Sequence, residues 1–185
     1  MTKSTLFFAL FAIACGLASA GVYNNEHTWV AGNLTLAFPK NPVLGGFDPY
    51  GYYTYVGRVI YNNAVLPARV VPELGLAYFN TDLVSSKASS YQILTQKANV
   101  LYTWVRSYDG YREEDSVSVG TAANDERVYI CRSKSDGGLL FGTLYLSQKL
   151  CIIKSDDLPL RKFDKYEVLV AKAIESPVNN STITH

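Results

Sequence analysis

Sliding the 185-residue chain along itself by 74 or 75 residues brings its rarest residues into register. Trp29 meets Trp104, and these are the only two tryptophans. Gly46 meets Gly120, Tyr55-Val56-Gly57-Arg58 meets Tyr129-Ile130-Cys131-Arg132, Leu66 meets Leu140, and Tyr91-Gln92-Ile93-Leu94 meets Tyr166-Glu167-Val168-Leu169. The units run from about 29 to 94 and from about 104 to 169, and small differences in loop length move the offset by one residue. A chain of this kind must fold as two copies of one backbone, so a residue's role can be read against its counterpart.

Each unit reads as short strands broken by turn residues. Tyr52 to Tyr61 forms an extended strand, turned back at Asn62-Asn63 into Ala64 to Val71. Arg127 to Arg132, Gly137-Gly138 and Leu139 to Leu146 repeat that hairpin. Residues 91–94 and 165–174 read as closing strands, with an amphipathic helix as the alternative for the second. Fourteen Tyr and eight Phe beside plentiful Val and Ile favour sheet, so the expected fold class is all-β.

Residues 1–20 have the layout of a secretory leader: Lys3, an apolar run from Leu6 to Leu17, and the small residues Ala18-Ser19-Ala20 before a cut at Gly21. The run is shorter than the ~20 residues a membrane span needs, so the expectation is a secreted, extracellular protein with no membrane insertion. Without the leader the chain carries 16 basic and 16 acidic side chains, a balance that does not steer it towards nucleic acid. The 21–174 stretch is then one tandem-repeat domain, and 175–185 a disordered polar tail.

Cys15 leaves with the leader, so an even pair remains, Cys131 and Cys151. A disulfide is the favoured reading in an oxidising compartment, and two separate buried thiols are the alternative. Sequons at Asn33, Asn179 and Asn180 permit glycans.

Catalysis is poorly provided for. The histidines are His27 and His185, near the ends of the mature chain, and the thiols are expected to pair, which removes the usual base and nucleophile. Glu113-Glu114-Asp115 beside Tyr111 and Arg112 reads as a solvated turn rather than a carboxylate pair for glycoside chemistry. No metal-ligand spacing stands out, so neither an enzyme nor a cofactor is expected. What remains is a tyrosine-rich β surface, suited to stacking and hydrogen bonding to sugars if its rings are exposed, or to sheet packing if they are not.

The series Trp29, Gly45-Gly46-Phe47-Asp48, Tyr55-Val56-Gly57-Arg58, Leu66-Pro67-Ala68-Arg69 and Tyr91-Gln92-Ile93-Leu94 resembles the DM-nine repeat family, and the second unit keeps the order in weaker form. The resemblance covers nearly all of residues 29–169 and implies two pseudo-symmetric, strand-exchanged β units with a β-prism or sandwich-like arrangement. It also implies a lectin that recognises mannose-type glycans on microbial or host surfaces, a pattern-recognition role in innate immunity. The family's sugar-gripping Asp falls on Asp48, and its Lys in a Pro-Gly-Lys turn falls on Arg69 in Pro67-Ala68-Arg69. Tyr50 and Tyr52 then offer a stacking platform, although Asp48 capping its own turn accounts for that residue equally well. The second unit has Ala122 and Thr143 at the matching positions, which supply neither charge. One site per chain binds a monosaccharide weakly, so avidity calls for a homodimer or a clustered glycan. The competing expectation is an extracellular structural or partner-binding protein that kept the scaffold and lost the sugar.

Overall fold

The computed structural model describes residues 21–155 and 158–174. The leader, the sequons at Asn179 and Asn180, and the tail from 175 lie outside the described residues. The first repeat contributes β1 (Thr28–Asn33), β2 (Leu44–Phe47), β3 (Tyr53–Tyr61), β4 (Ala64–Val71), β5 (Leu76–Asn80), β6 (Ser85–Ala88) and β7 (Ser90–Thr95). The second contributes β8 (Val100–Tyr108), β9 (Ser118–Thr121), β10 (Arg127–Ser135), β11 (Gly138–Tyr145), β12 (Leu150–Ile153), β13 (Arg161–Phe163) and β14 (Lys165–Ala173). A single 3-10 turn, Pro72–Leu74, joins β4 to β5. The protein is all-β, as expected.

Pairing is antiparallel and follows the repeat. In unit one β1 pairs β7, β3 pairs β2, β4 and β7, and β4 pairs β5, which pairs β6. In unit two β8 pairs β14, β10 pairs β9, β11 and β14, and β11 pairs β12, which pairs β13. Even the registers match, since Trp29 faces Leu94 while Trp104 faces Leu169, and Arg58 faces Gln92 while Arg132 faces Glu167.

The hairpin at Asn62-Asn63 forms as expected, with φ of 47° and 60°. Two consecutive left-handed residues turn the chain with the same twist as the strands they join, and Asn tolerates that conformation. The second hairpin turns at Asp136-Gly137 (φ 52° and 85°), one residue before the expected Gly137-Gly138, because Asp-Gly suits this turn and Ser133 to Ser135 contain no breaker. The closing segment of unit two is a strand along its whole length, so the helical alternative is excluded. Its period was ambiguous because Val168, Leu169 and Val170 are all buried: Val168 and Val170 pack in one core and Leu169 in another.

Three cores follow from this arrangement. One belongs to unit one around Leu66, Phe79 and Ile93, and one to unit two around Cys131, Leu144 and Val168. The third draws Val43, Val56, Val65 and Leu94 from the first repeat and Val119, Ile130, Phe141 and Leu169 from the second, with Trp29 and Trp104 packed against it. The disulfide joins Cys131 of β10 to Cys151 of β12 across the intervening β11, with a Cα–Cα distance of 5.8 Å. Closing a loop of this length contributes roughly 3 kcal/mol in the chain-entropy model.

The units are joined through β2, which pairs with β3 of its own unit and also reaches β11 of the other. Phe47 of β2 pairs with Leu139 of β11. At this crossing a Cβ on Gly46 would lie 2.0 Å from the Leu139 carbonyl oxygen, so only glycine fits. Its counterpart Gly120 meets Val65, the counterpart of Leu139, with a built Cβ 2.8 Å from the valine Cβ. The two matched glycines of the sequence are therefore the two crossing points.

Two arginines lock the units together. Arg58 lies with its guanidinium over the Trp29 and Tyr23 rings (4.3 and 4.1 Å) and donates through Nε to Gln92 (2.8 Å) and through Nη1 to the Val119 carbonyl of unit two (2.9 Å). It also donates to the Asn24 carbonyl and to Asn25 Oδ1. Arg132 repeats the device, lying 4.2 Å from the Trp104 ring centroid and donating to Glu167 (2.6 Å) and to the Gly45 carbonyl of unit one (3.0 Å). Arg58 is only 1% exposed and has a neutral Gln where Arg132 has a carboxylate. Burial pushes its guanidinium down to about 10, still protonated at neutral pH. Lysine cannot reproduce a planar fork between ring faces and carbonyls. Arg58→Lys should therefore cost about 2 to 3 kcal/mol of unfolding free energy, and Arg132→Lys, whose side chain is 17% exposed and already paired with a carboxylate, less than about half of that. Urea denaturation checks the order, and an equal or reversed order contradicts it.

Candidate functional site

The turn between β2 and β3 is built by Asp48-Pro49-Tyr50-Gly51, which places Asp first, Pro second and Gly fourth, the preferred order for a type I turn. The Gly51 amide donates to the Asp48 carbonyl at 3.0 Å. The Asp48 carboxylate Oδ1 accepts the amides of Tyr50 and Tyr52, both at 2.9 Å. One oxygen thus caps the turn, and no bond from a described residue reaches Oδ2. The capping reading of Asp48 is correct and still leaves one carboxylate oxygen for another partner.

Around this turn lies a cleft of about 300 Å³. Asp48, Tyr50 and Tyr52 form one rim, Thr54, Arg69 and Tyr78 come from β3, β4 and β5, and Ser155 and Leu158 arrive from unit two. The four residues singled out in the sequence, Asp48, Arg69, Tyr50 and Tyr52, are brought together here. Tyr50 is 84% exposed, so its ring is available for stacking and is not a sheet-packing residue. The Thr54 hydroxyl is buried, lines the cleft, and has no hydrogen-bond partner among the described residues. A buried hydroxyl without a partner costs on the order of 1 to 3 kcal/mol, which makes it an unmet donor and acceptor in the wall of the cleft.

Arg69 is placed differently from the expected picture. Pro67-Ala68-Arg69 is not the turn that the family resemblance implies but lies inside β4, the strand read over Ala64 to Val71, between β3 and β5. The pairing of β4 with both neighbours overrides the turn propensity of proline. Arg69 is only 3% exposed, and its guanidinium donates to the Phe141 carbonyl (2.6 Å) and the Lys154 carbonyl (2.9 Å) of unit two. Its counterpart Thr143 makes the reciprocal contact, with Oγ1 3.5 Å from the Asn80 carbonyl. Arg69 therefore ties unit two to the cleft wall while bringing a positive charge to it.

Asn33 lies at the end of β1, and its side-chain oxygen accepts the Thr35 amide (2.9 Å), the Thr35 hydroxyl (2.8 Å) and the Leu36 amide (2.8 Å). The sequon is thus an Asx turn followed by exposed residues. Among the described residues no three His, Cys, Asp or Glu side chains cluster as metal ligands.

The match to a DM9 repeat extends over residues 48–162, more than half of the chain. The chain belongs to the DM9 repeat family. No curated protein matches it in sequence. Among solved structures it is similar to the crystal structure of the nematode sperm cell motility protein MFP2B, at 17% identity with a TM-score of 0.55. That likeness covers 82% of this chain and 45% of the other, so the present chain spans less than half of its length, and at this identity the likeness is one of fold.

The DM9 pseudo-symmetry predicts a mate for the cleft, and one of about 340 Å³ lies where it should, lined by Ala122, Asn124 and Glu126 in place of Asp48, Tyr50 and Tyr52, with Tyr145, Gln148 and, from unit one, Thr81. Glu126 does not stand in for the lost aspartate, because its two oxygens accept the Ser147 amide and hydroxyl, each at 2.8 Å. Tyr78, Thr54, Ser155 and Leu158 were missed in the sequence: the β3–β4–β5 pairing brings Thr54 and Tyr78 to the cleft, and the packing of unit two against unit one brings Ser155 and Leu158.

The two charged residues of the first cleft should separate in a stability assay. Arg69→Met leaves the Phe141 carbonyl without its donor and should cost about 2 to 4 kcal/mol. Asp48→Asn keeps an oxygen for both turn amides and should cost less than about 1 kcal/mol. Guanidinium denaturation checks this, and a neutral Arg69→Met contradicts the tether.

Proposed function

We propose that this DM9 protein is a secreted carbohydrate-binding protein that takes a mannose-type sugar in the Asp48 cleft and serves in pattern recognition in innate immunity. The observation that carries the reading is the convergence, in one cleft, of the Asp48 carboxylate, the Arg69 cation, the exposed Tyr50 face and the Thr54 hydroxyl, which has no hydrogen-bond partner among the described residues. A cleft near 300 Å³ is at the small end for organic ligands and suits one sugar ring rather than a peptide. Asp48 Oδ2 accepts from a pair of neighbouring hydroxyls, a charge-assisted bond of the stronger kind. Tyr50 and Tyr52 cover the apolar face of the pyranose. Arg69, held by the Phe141 and Lys154 carbonyls, contributes a fixed positive field rather than a mobile fork. Secretion rests on the leader-like residues 1–20, and the protein is read as a binder without catalysis.

A second reading, a partner-binding scaffold without sugar affinity, is favoured by the mate cleft, where Ala122 and Thr143 replace both charges. Retention on immobilised mannan decides between them. The wild type should be retained and released by free mannose, and Asp48→Asn should weaken retention about 10-fold or more. Passage of the wild type through the column, or equal retention of Asp48→Asn, rules the sugar site out.

A further inference from the structure

The face of unit two formed by β8, β14 and β10 carries a cluster of cations with no counterpart in unit one. Antiparallel register places Glu167 opposite Arg106 on one side and opposite Arg132 on the other. Two residues further along, Lys165 lies opposite Tyr108, and continuing the β10–β14 register brings Lys134 opposite Lys165. Residues two apart on a strand share a face, so all six side chains project together. They line a groove of about 780 Å³ that shares no lining residue with the Asp48 cleft.

Four cations against one carboxylate give this groove an excess of three positive charges, on a chain whose formal net charge is +1. The carboxylate is already engaged, because Glu167 pairs with Arg132 at 2.6 Å. Among the described residues neither Arg106, Lys134 nor Lys165 has an ion-pair partner. Two lysines opposite each other on neighbouring strands destabilise a sheet. The scaffold does not require them. The identical registers of unit one place Ala31 where unit two has Arg106, Ser90 where it has Lys165, and Ile60 where it has Lys134. Charges that oppose folding and that the twin unit lacks call for an external counter-charge.

The occupant can be narrowed further. The cations form a compact grid rather than a long track, and the exposed Asp109 and Asp164 close its turn end, which limits any anionic occupant to a short stretch of chain. At that end Tyr108 is 60% exposed and stacks on Tyr111, offering an apolar face between the charges. A short stretch of chain that alternates anionic groups with flat, partly apolar rings matches this pattern better than a duplex. We propose that the groove binds an acidic polysaccharide, its sulfate or carboxylate groups on Arg106, Lys134 and Lys165 and a pyranose face on Tyr108. The site is independent of the mannose reading, which could fail without touching it.

Chromatography of the full mature chain on immobilised heparin, polygalacturonate and duplex DNA, each eluted with a salt gradient, tests the proposal. The wild type should be retained on at least one acidic polysaccharide at about 0.15 M salt, and comparison of the two columns tells sulfate from carboxylate. The triple variant Arg106→Ala, Lys134→Ala and Lys165→Ser should bind about 10-fold or more weakly, while its mannan retention matches that of the wild type and its melting temperature is no lower. Lys165→Ser alone, copying Ser90, carries the test if the triple variant does not fold. Passage of the wild type through both polysaccharide columns, unchanged elution of the variants, or tighter binding to DNA than to heparin overturns the proposal.

Discussion

A guanidinium buried inside a β protein has to find donors' partners on every side, and in this chain that requirement joins the two halves. Arg58 and Arg132 each start from the middle of a long strand, lie on the tryptophan of their own unit, and finish on a carbonyl of the other. Neither unit can satisfy its arginine alone, because the accepting carbonyls at Val119 and Gly45 belong to the strands that cross over. Gly46 and Gly120 permit the crossing sterically, and the arginines make it costly to undo. The conspicuous matched residues of the repeat, Trp, Gly and Arg, are thus parts of a single interlock.

The interlock also determines where ligands can be held. Both clefts of about 300 Å³ lie at the junction, each with a turn of one unit as rim and a loop of the other as far wall. The halves have diverged on top of the shared backbone. Unit one carries Asp48 and the buried Arg69, while unit two has neither and carries a disulfide and a cluster of cations on its sheet. The two frames are equivalent, and their separate surfaces carry different charges without disturbing the shared core.

Much of this was legible in the sequence because it is local or repeated. The offset of 74 to 75 residues, the Asn62-Asn63 hairpin and the Asp48 turn depend on neighbours along the chain. Features that depend on contacts between the units were not legible. The strand read over Ala64 to Val71 holds Pro67-Ala68-Arg69, but the ending of Arg69 on the Phe141 and Lys154 carbonyls of unit two cannot be read from it. Ser155 and Leu158 stand about a hundred residues from Asp48 and reach its cleft only because unit two folds back across unit one. The cation groove combines one cation from β8, two from β10 and one from β14, none of which forms a run in the sequence, and the overall charge balance of the chain conceals it.

The interlock makes a direct claim about cooperativity, which native-state hydrogen exchange can test. Amides in the β3–β7 ladder of unit one and the β10–β14 ladder of unit two should exchange with the same opening free energy, equal to that of global unfolding, because neither arginine clamp can open without exposing the other unit's strand. If one ladder exchanges through a separate opening of distinctly lower free energy while the other stays protected, the two units fold independently and the account is wrong.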